Sequence, residues 1–264
     1  MKENLRFGLS TLHAWIRFFE CILHLSYKIS IKKWQARNAE EKKAVSERKR
    51  ELQREFRLQL GLIVDTPKPG FGSSNDGNTA RRFFANFQVS AKITGIDETL
   101  IKRFYVILQV ISSGYDINLE LFEKFCINTA KLFVNLYPWY YMPTSVHKVL
   151  IHAKEVIEKA ILPIGQLSEE AQEARNKDIK KYRSDFSRKF SRVKTMEDVF
   201  NRLLVSSDPY ISSLRKLPKK KLKQFLPEAL ELLIASSSQN KLGIVSKVDS
   251  DSEIDSELPD SDSE

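Results

Sequence analysis

The chain has 264 residues, 42% of them hydrophobic and 10% aromatic, which is enough for a sizeable core in one large domain or two small ones. Its net charge is +9, but the last seventeen residues, VDSDSEIDSELPDSDSE, hold eight carboxylates and no basic group, so residues 1–247 carry +17. A body that basic suits a polyanionic partner, nucleic acid first and anionic membrane second, against the bland alternative of a solvated basic surface; two cysteines exclude a disulfide framework and imply a reducing compartment, nuclear or otherwise cytoplasmic.

The first hydrophobic run, FGLSTLHAWIRFFECILHLSYKI, carries His13, Arg17, Glu20 and His24 in its middle. Charges at a bilayer centre cost about 2.5–3.5 kcal/mol each, so the run is not expected to span a membrane, and no membrane partner is expected. Leu9, Leu12, Ile16, Phe19, Leu23 and Tyr27 recur at helical spacing and predict a buried amphipathic helix over about 9–29. Residues 34–60 are rich in helix formers, and Val45, Leu52, Phe56 and Leu60 make a narrow apolar stripe, so a long, mostly exposed helix is expected, ended by Gly61. DTPKPGFGSSNDGN reads as a loop. Helices follow at about 79–87, 97–112 and 118–136, the last two capped by Asp97 and Asn118. After YPWYYMPT another is expected over about 145–159. Ser168 with Glu170 marks the start of a long basic helix running through EAQEARNKDIKKYRSDFSRKFSRV, and EDVFNRLLVSS gives a short one. A basic segment, SLRKLPKKKLKQ, precedes a last helix in PEALELLIAS with Pro227 at its first position. From about 236 the composition is that of a disordered acidic tail. Strand patterns are nearly absent, and the fold class is mainly α.

Three stretches carry chemistry. His147 and His152 stand five positions apart in TSVHKVLIH, about 140° apart on a regular helix. The plainer reading is two ordinary helical histidines; convergence on one ion calls for a helix that begins between them or is distorted at its start. NDGNTARR places Asn78, Arg81 and Arg82 at a helix start, where backbone amides and guanidinium groups suit a phosphate, although a polar loop before a basic helix explains it equally. SEEAQEARNKD gathers Glu169, Glu170 and Glu173 ahead of Arg175 and Lys177. Such carboxylates complement a helix dipole, or one of them binds a hard divalent cation.

In their order, HKVLIH, SEEAQEARNK and KKYRSDFSRKFSRVKTMEDVFNRLL resemble the C-terminal part of the Transib transposase family, to which the catalytic subunit of the vertebrate V(D)J recombinase belongs. STLHAWIRFFECILHLSYK, KKWQARNAEEKKAVSERKRELQREFRLQLGL and GNTARRFF are similar to upstream pieces of the same family, so the resemblance covers about residues 5–215. No single motif is specific; the ordered series carries the likeness.

The resemblance implies an RNase-H-like (DDE) catalytic centre of two Asp and one Glu on magnesium or manganese, interrupted by a helical insert whose zinc is held by a Cys-x-x-Cys pair and two histidines. Carried over by position, His147 and His152 match the zinc histidines and Glu173 the catalytic Glu. Gly77, Asn78, Ala80, Arg81 and Arg82 match a DNA-facing motif, and His13 matches a histidine of uncertain role. Arg175, Lys177, Lys180, Lys181, Arg188 and Arg192 are the expected DNA contacts of the basic helix. Both Asp and the Cys pair would lie before the first matched segment, so the expectation is a truncated member: residues 1–160 as the zinc-insert-like helical region, 161–236 as the Glu-bearing and C-terminal helices, and 237–264 as the tail. Zinc would then have an incomplete site, and magnesium or manganese would act only in a complete member. Expected partners are DNA and a second copy or a full-length relative in trans. Two rivals stand beside this: a protein-interaction module or pseudogene product with no DNA role, and a Glu-donating half of a nicking and strand-transfer enzyme assembled in trans.

Overall fold

The computed structural model describes residues 8–68, 72–214 and 225–234. The chain is mainly helical. Helix α1 (Thr11–Tyr27) is its axis: Ser10 caps it, accepting from the His13 amide, and only His13, Arg17 and His24 are exposed along it. Around it lie α2 (Ala39–Leu60), α3 (Gly77–Ala85), α4 (Phe87–Thr94), α5 (Glu98–Ile111) and α7 (Thr144–Glu158). Helix α6 (Leu119–Leu136) pairs with α7 and with α5. Aromatic rings knit these layers at edge-on or tilted geometry, Phe18 on Phe104 at 4.7 Å and Phe19 on Phe83 at 4.9 Å, which suits their quadrupoles. Helix α2 fully buries only Leu52 and Phe56, about 2–3 kcal/mol each, and leaves the rest of its surface largely polar.

Asp97 and Asn118 cap α5 and α6, accepting from Leu100 and Leu121 amides at 2.9 and 3.2 Å. Other boundaries differ from expectation. Helix α2 starts at Ala39 behind an Asn38 cap, five residues late. Helix α4 follows α3 with the single residue Asn86 between them, so one apolar pattern covers two helices. The expected loop contains a small hairpin, β1 (Pro67–Lys68) paired antiparallel with β2 (Gly72–Ser73). The long basic helix is shorter than expected, since α8 (Glu170–Asp185) stops at Phe186, and the short helix after it starts earlier, as α9 (Arg192–Ser207), which Ser191 caps by accepting from the Lys194 amide. The start of α8 also differs. Ser168 stays extended, and Glu169 precedes the helix without a side-chain cap.

A 3-10 turn, Ile164–Leu167, leads into α8. Its Gly165 lies against the Ser112–Gly114 turn so closely that a Cβ would sit 2.5 Å from the Gly114 nitrogen. Helix α8 packs on α9, and α9 on α10 (Pro209–Leu214). The last described helix, α11 (Pro227–Glu231), lies on α5, tied by a Lys102–Glu228 ion pair and by the Asn118 amide donating to the Leu232 carbonyl at 2.9 Å. Most of the basic segment and the acidic tail lie outside the described residues. No helix among the described residues is long and apolar enough to cross a membrane.

Candidate nucleic-acid interface and histidine pair

Helix α7 turns Val146, Val149, Leu150 and Ala153 into the core. Lys154 fastens it to α6 through Glu120 and Glu123, at 3.0 and 2.6 Å. That orientation puts His147 and His152 on the outer side. Their ring centroids are 5.3 Å apart and their planes 73° apart, although α7 begins at Thr144, ahead of both, and runs unbroken. The rings approach without a helix start or distortion between them: side chains lean toward the helix N-terminus, which brings the later ring back onto the earlier one.

Two imidazoles on one tetrahedral ion, with Zn–N of about 2 Å, have centroids roughly 5 Å apart. His152 also turns Nδ1 toward Glu155 Oε2 at 3.5 Å, the kind of carboxylate backing that orients a metal-bound histidine. The spacing is that of two ligands on one ion and equally that of an ordinary edge-on ring pair. The rest of a zinc shell is missing among the described residues, where no group of three His, Cys, Asp or Glu could hold a metal. Cys21 and Cys126 do not supply it: both are buried, and desolvation pushes their thiols well above the usual range, away from the thiolate a metal needs.

Glu173 is exposed on α8, its amide donating to the Glu169 carbonyl at 2.9 Å. Glu169 has a different setting, since its carboxylate accepts from Ser10 Oγ at 3.1 Å and lies 3.3 Å from His13 Nδ1. The exposed polar trio joins the start of α8 to the start of α1.

The GNTARR stretch serves packing as much as surface. Asp76 caps α3, accepting from the Thr79 amide at 2.8 Å. Gly77 and Ala80 are buried against neighbouring helices, and a Cβ on Gly77 would stand 2.5 Å from Leu12 Cδ1. The Arg81 guanidinium lies 5.6 Å over the Trp15 ring, and burial lowers its pKa. Arg82 donates to the Leu60 carbonyl at 2.6 Å, closing the C-terminal end of α2. Asn78 is exposed.

On the α8–α9 hairpin, Arg175 donates to the Leu203 carbonyl at 2.9 Å and to Ser207 Oγ at 2.5 Å, holding α8 on the end of α9. Arg188 grips Asp198 from both backbone and guanidinium, at 2.8 and 2.7 Å, and those hydrogen bonds hold the Asp198 carboxyl down to about 2. Lys177, Lys180, Lys181 and Arg192 are exposed. Lys177 and Lys181 follow Glu173 at steps of four, with Lys180 beside them, so α8 presents one stripe with an acid at its head and three ammonium groups below it.

Sequence reasoning passed over a second feature, the aromatic corner formed by Trp34, Trp139, Tyr140 and Tyr141. YPWYYMPT served there only to separate two expected helices. The density of aromatics around a proline, next to a Lys-Lys-Trp turn, was the available signal.

No protein-family model matches this chain, and no curated protein matches it.

Proposed function

We propose that the chain is Transib-like and binds duplex DNA through the α8–α9 hairpin. The observation that carries the reading is the stripe Glu173, Lys177, Lys180 and Lys181, with Arg192 at the start of the next helix. From Arg175 to Lys194 the sequence holds nine Lys or Arg and two Asp, so this stretch stays cationic after Arg175, Arg188 and Lys194 are discounted for their internal contacts. Glu173 belongs to no group of three metal-binding side chains among the described residues. A nuclear location accords with a DNA partner.

The rival reading, a protein-interaction module, draws on α9. Val193, Met196, Phe200 and Leu204 are 50–74% exposed and recur at helical spacing, an apolar face of the kind that marks association surfaces.

Filter binding to random-sequence duplex at two salt concentrations separates the two. With four phosphate contacts from Lys177, Lys180, Lys181 and Arg192, the slope of log K against log salt is about −3.6, which is roughly a 150-fold loss for a fourfold rise in salt. Removing Lys177 and Lys181 together reduces that slope by about 1.8. Absence of duplex binding at about 50 mM salt would leave the protein-interaction reading.

A further inference from the structure

The turn after α1 and the segment before α7 meet in an aromatic corner. Trp34 stands edge-on to Tyr140 at 4.8 Å and to Tyr141 at 5.2 Å, and Trp139 stands edge-on to Tyr140 at 5.7 Å. Tyr140 is buried and anchors the set, whereas Tyr141 is 69% exposed. Trp34, Trp139 and Tyr141 line an open groove of about 420 Å³, together with Lys33, Arg37 and Glu41.

Charge decides what this groove takes. A cationic guest such as a methylated lysine needs an empty aromatic cage and a free acid. The cage between Trp34 and Tyr140 is already filled by Lys28 Nζ, 4.8 and 5.4 Å from the two rings. The acid is also taken: Glu41 accepts from Lys33 Nζ at 2.6 Å and from the Arg37 amide at 2.8 Å, contacts that hold its carboxyl below the usual range. The same loss counts against a proline-rich peptide, because a flanking basic residue on it would find no acid here. With Lys33 neutralised by Glu41, Arg37 in the lining and Lys28 against the Trp34 ring leave the groove positive, and the open surfaces of Trp34, Trp139 and Tyr141 are flat and apolar. Flat faces beside cations fit a base with its phosphate.

We infer that this groove stacks an unpaired base of single-stranded nucleic acid, with its phosphates beside Arg37. The site is on different elements from the α8–α9 hairpin and does not depend on that reading.

The test is a titration of the full-length protein with oligothymidylate of about 12 nucleotides, read by tryptophan fluorescence and by anisotropy of a labelled copy. Trp34 and Trp139 are only half-buried and should be quenched as the strand binds, whereas Trp15 is buried. Tyr141→Ala should weaken single-strand binding about fivefold or more, the range found for loss of one stacked base. Tyr141→Phe should retain it, and duplex affinity should be unchanged in both. Oligouridylate run in parallel shares the base and phosphate chemistry; quenching by either strand supports the site, and the tighter one identifies the sugar it meets. Absent quenching, quenching indifferent to Tyr141→Ala, or displacement of the strand by a proline-rich peptide overturns the inference. If single strands bind as described while Lys177→Ala with Lys181→Ala leaves duplex binding unmoved, it is the hairpin reading that falls.

Discussion

Replacing Gly77 by Ala distinguishes two roles for the GNTARR stretch. A methyl group there would lie 2.5 Å from Leu12 Cδ1 and 3.1 Å from Arg81 Nη1. Carbon–carbon contacts are best at about 3.5–4.0 Å, so the first distance is short by at least roughly 1 Å. Overpacking of this kind costs about 1–3 kcal/mol. The lower part of that range applies, because the obstructing atom is a side-chain tip that can turn. Alanine's better helix propensity offsets little at the first residue of α3, where intrahelical bonding has only begun. A net loss of about 1 kcal/mol lowers the melting temperature by roughly 2–4 °C for a chain near this size. Calorimetry or urea titration of the variant measures it, and Leu12→Ala in the same background should remove the clash, giving a coupling of about 0.5 kcal/mol or more in the double-mutant cycle. Duplex affinity of the folded variant should match that of the parent. An unchanged or higher melting temperature together with weakened DNA binding would refute the argument and make Gly77 a DNA-facing residue.

Metal analysis of the purified protein should find clearly less than one zinc per chain, because two imidazoles leave two positions of the shell to water; stoichiometric zinc lost on His147→Ala would mean that further ligands close the site. Deleting residues 248–264 should tighten duplex binding, most at low salt, since a tethered polyanion of eight carboxylates competes with phosphates for the same cations; unchanged affinity at about 50 mM salt would remove that competition. The Asp198 carboxyl, held at about 2 by Arg188, supports the α8–α9 turn in full above its ordinary value near 3.8, and the support is lost as pH falls toward 2. Limited pepsin digestion should therefore open the 186–191 turn earlier in Asp198→Asn than in the parent at pH 4, and equally in both at pH 2; equal cutting at both values would show that the pair does not hold the turn.

How far the sequence could be read depended on where the deciding contacts lie. Asp97 and Asn118 bond to amides three residues on, so their caps are local facts and were legible. The place of the break between α8 and α9 was not. Ser191 is one serine among several in a basic run, and what stops the helix is Arg188 reaching Asp198 ten residues ahead. Helix α4 was hidden because Asn86 ends one helix and begins the next without interrupting the apolar rhythm. At the candidate sites, spacing identified the histidines but angular arithmetic alone separated them, since it ignores the lean of side chains along a helix. The arginines were least legible. Arg82 and Arg175 each close a distant carbonyl, and in a sequence they look the same as Lys177 or Arg192, which face solvent.

Gly165 resting on Gly114 has an evolutionary consequence. The contact is backbone on backbone, with a would-be Cβ 2.5 Å from the Gly114 nitrogen and 2.9 Å from the Ser112 carbonyl carbon, and Gly114 itself has φ of +76°. A side chain at 165 would meet backbone that has no side chain to move aside, while Gly114 is held to glycine by its own positive φ. In any lineage that keeps this arrangement the two sites are bound to one another: a substitution at 165 is tolerable only where the 112–114 turn has already been rebuilt. Relatives should therefore divide into those with glycine at both positions and those in which both have changed along with the length of the turn, with few intermediates between them.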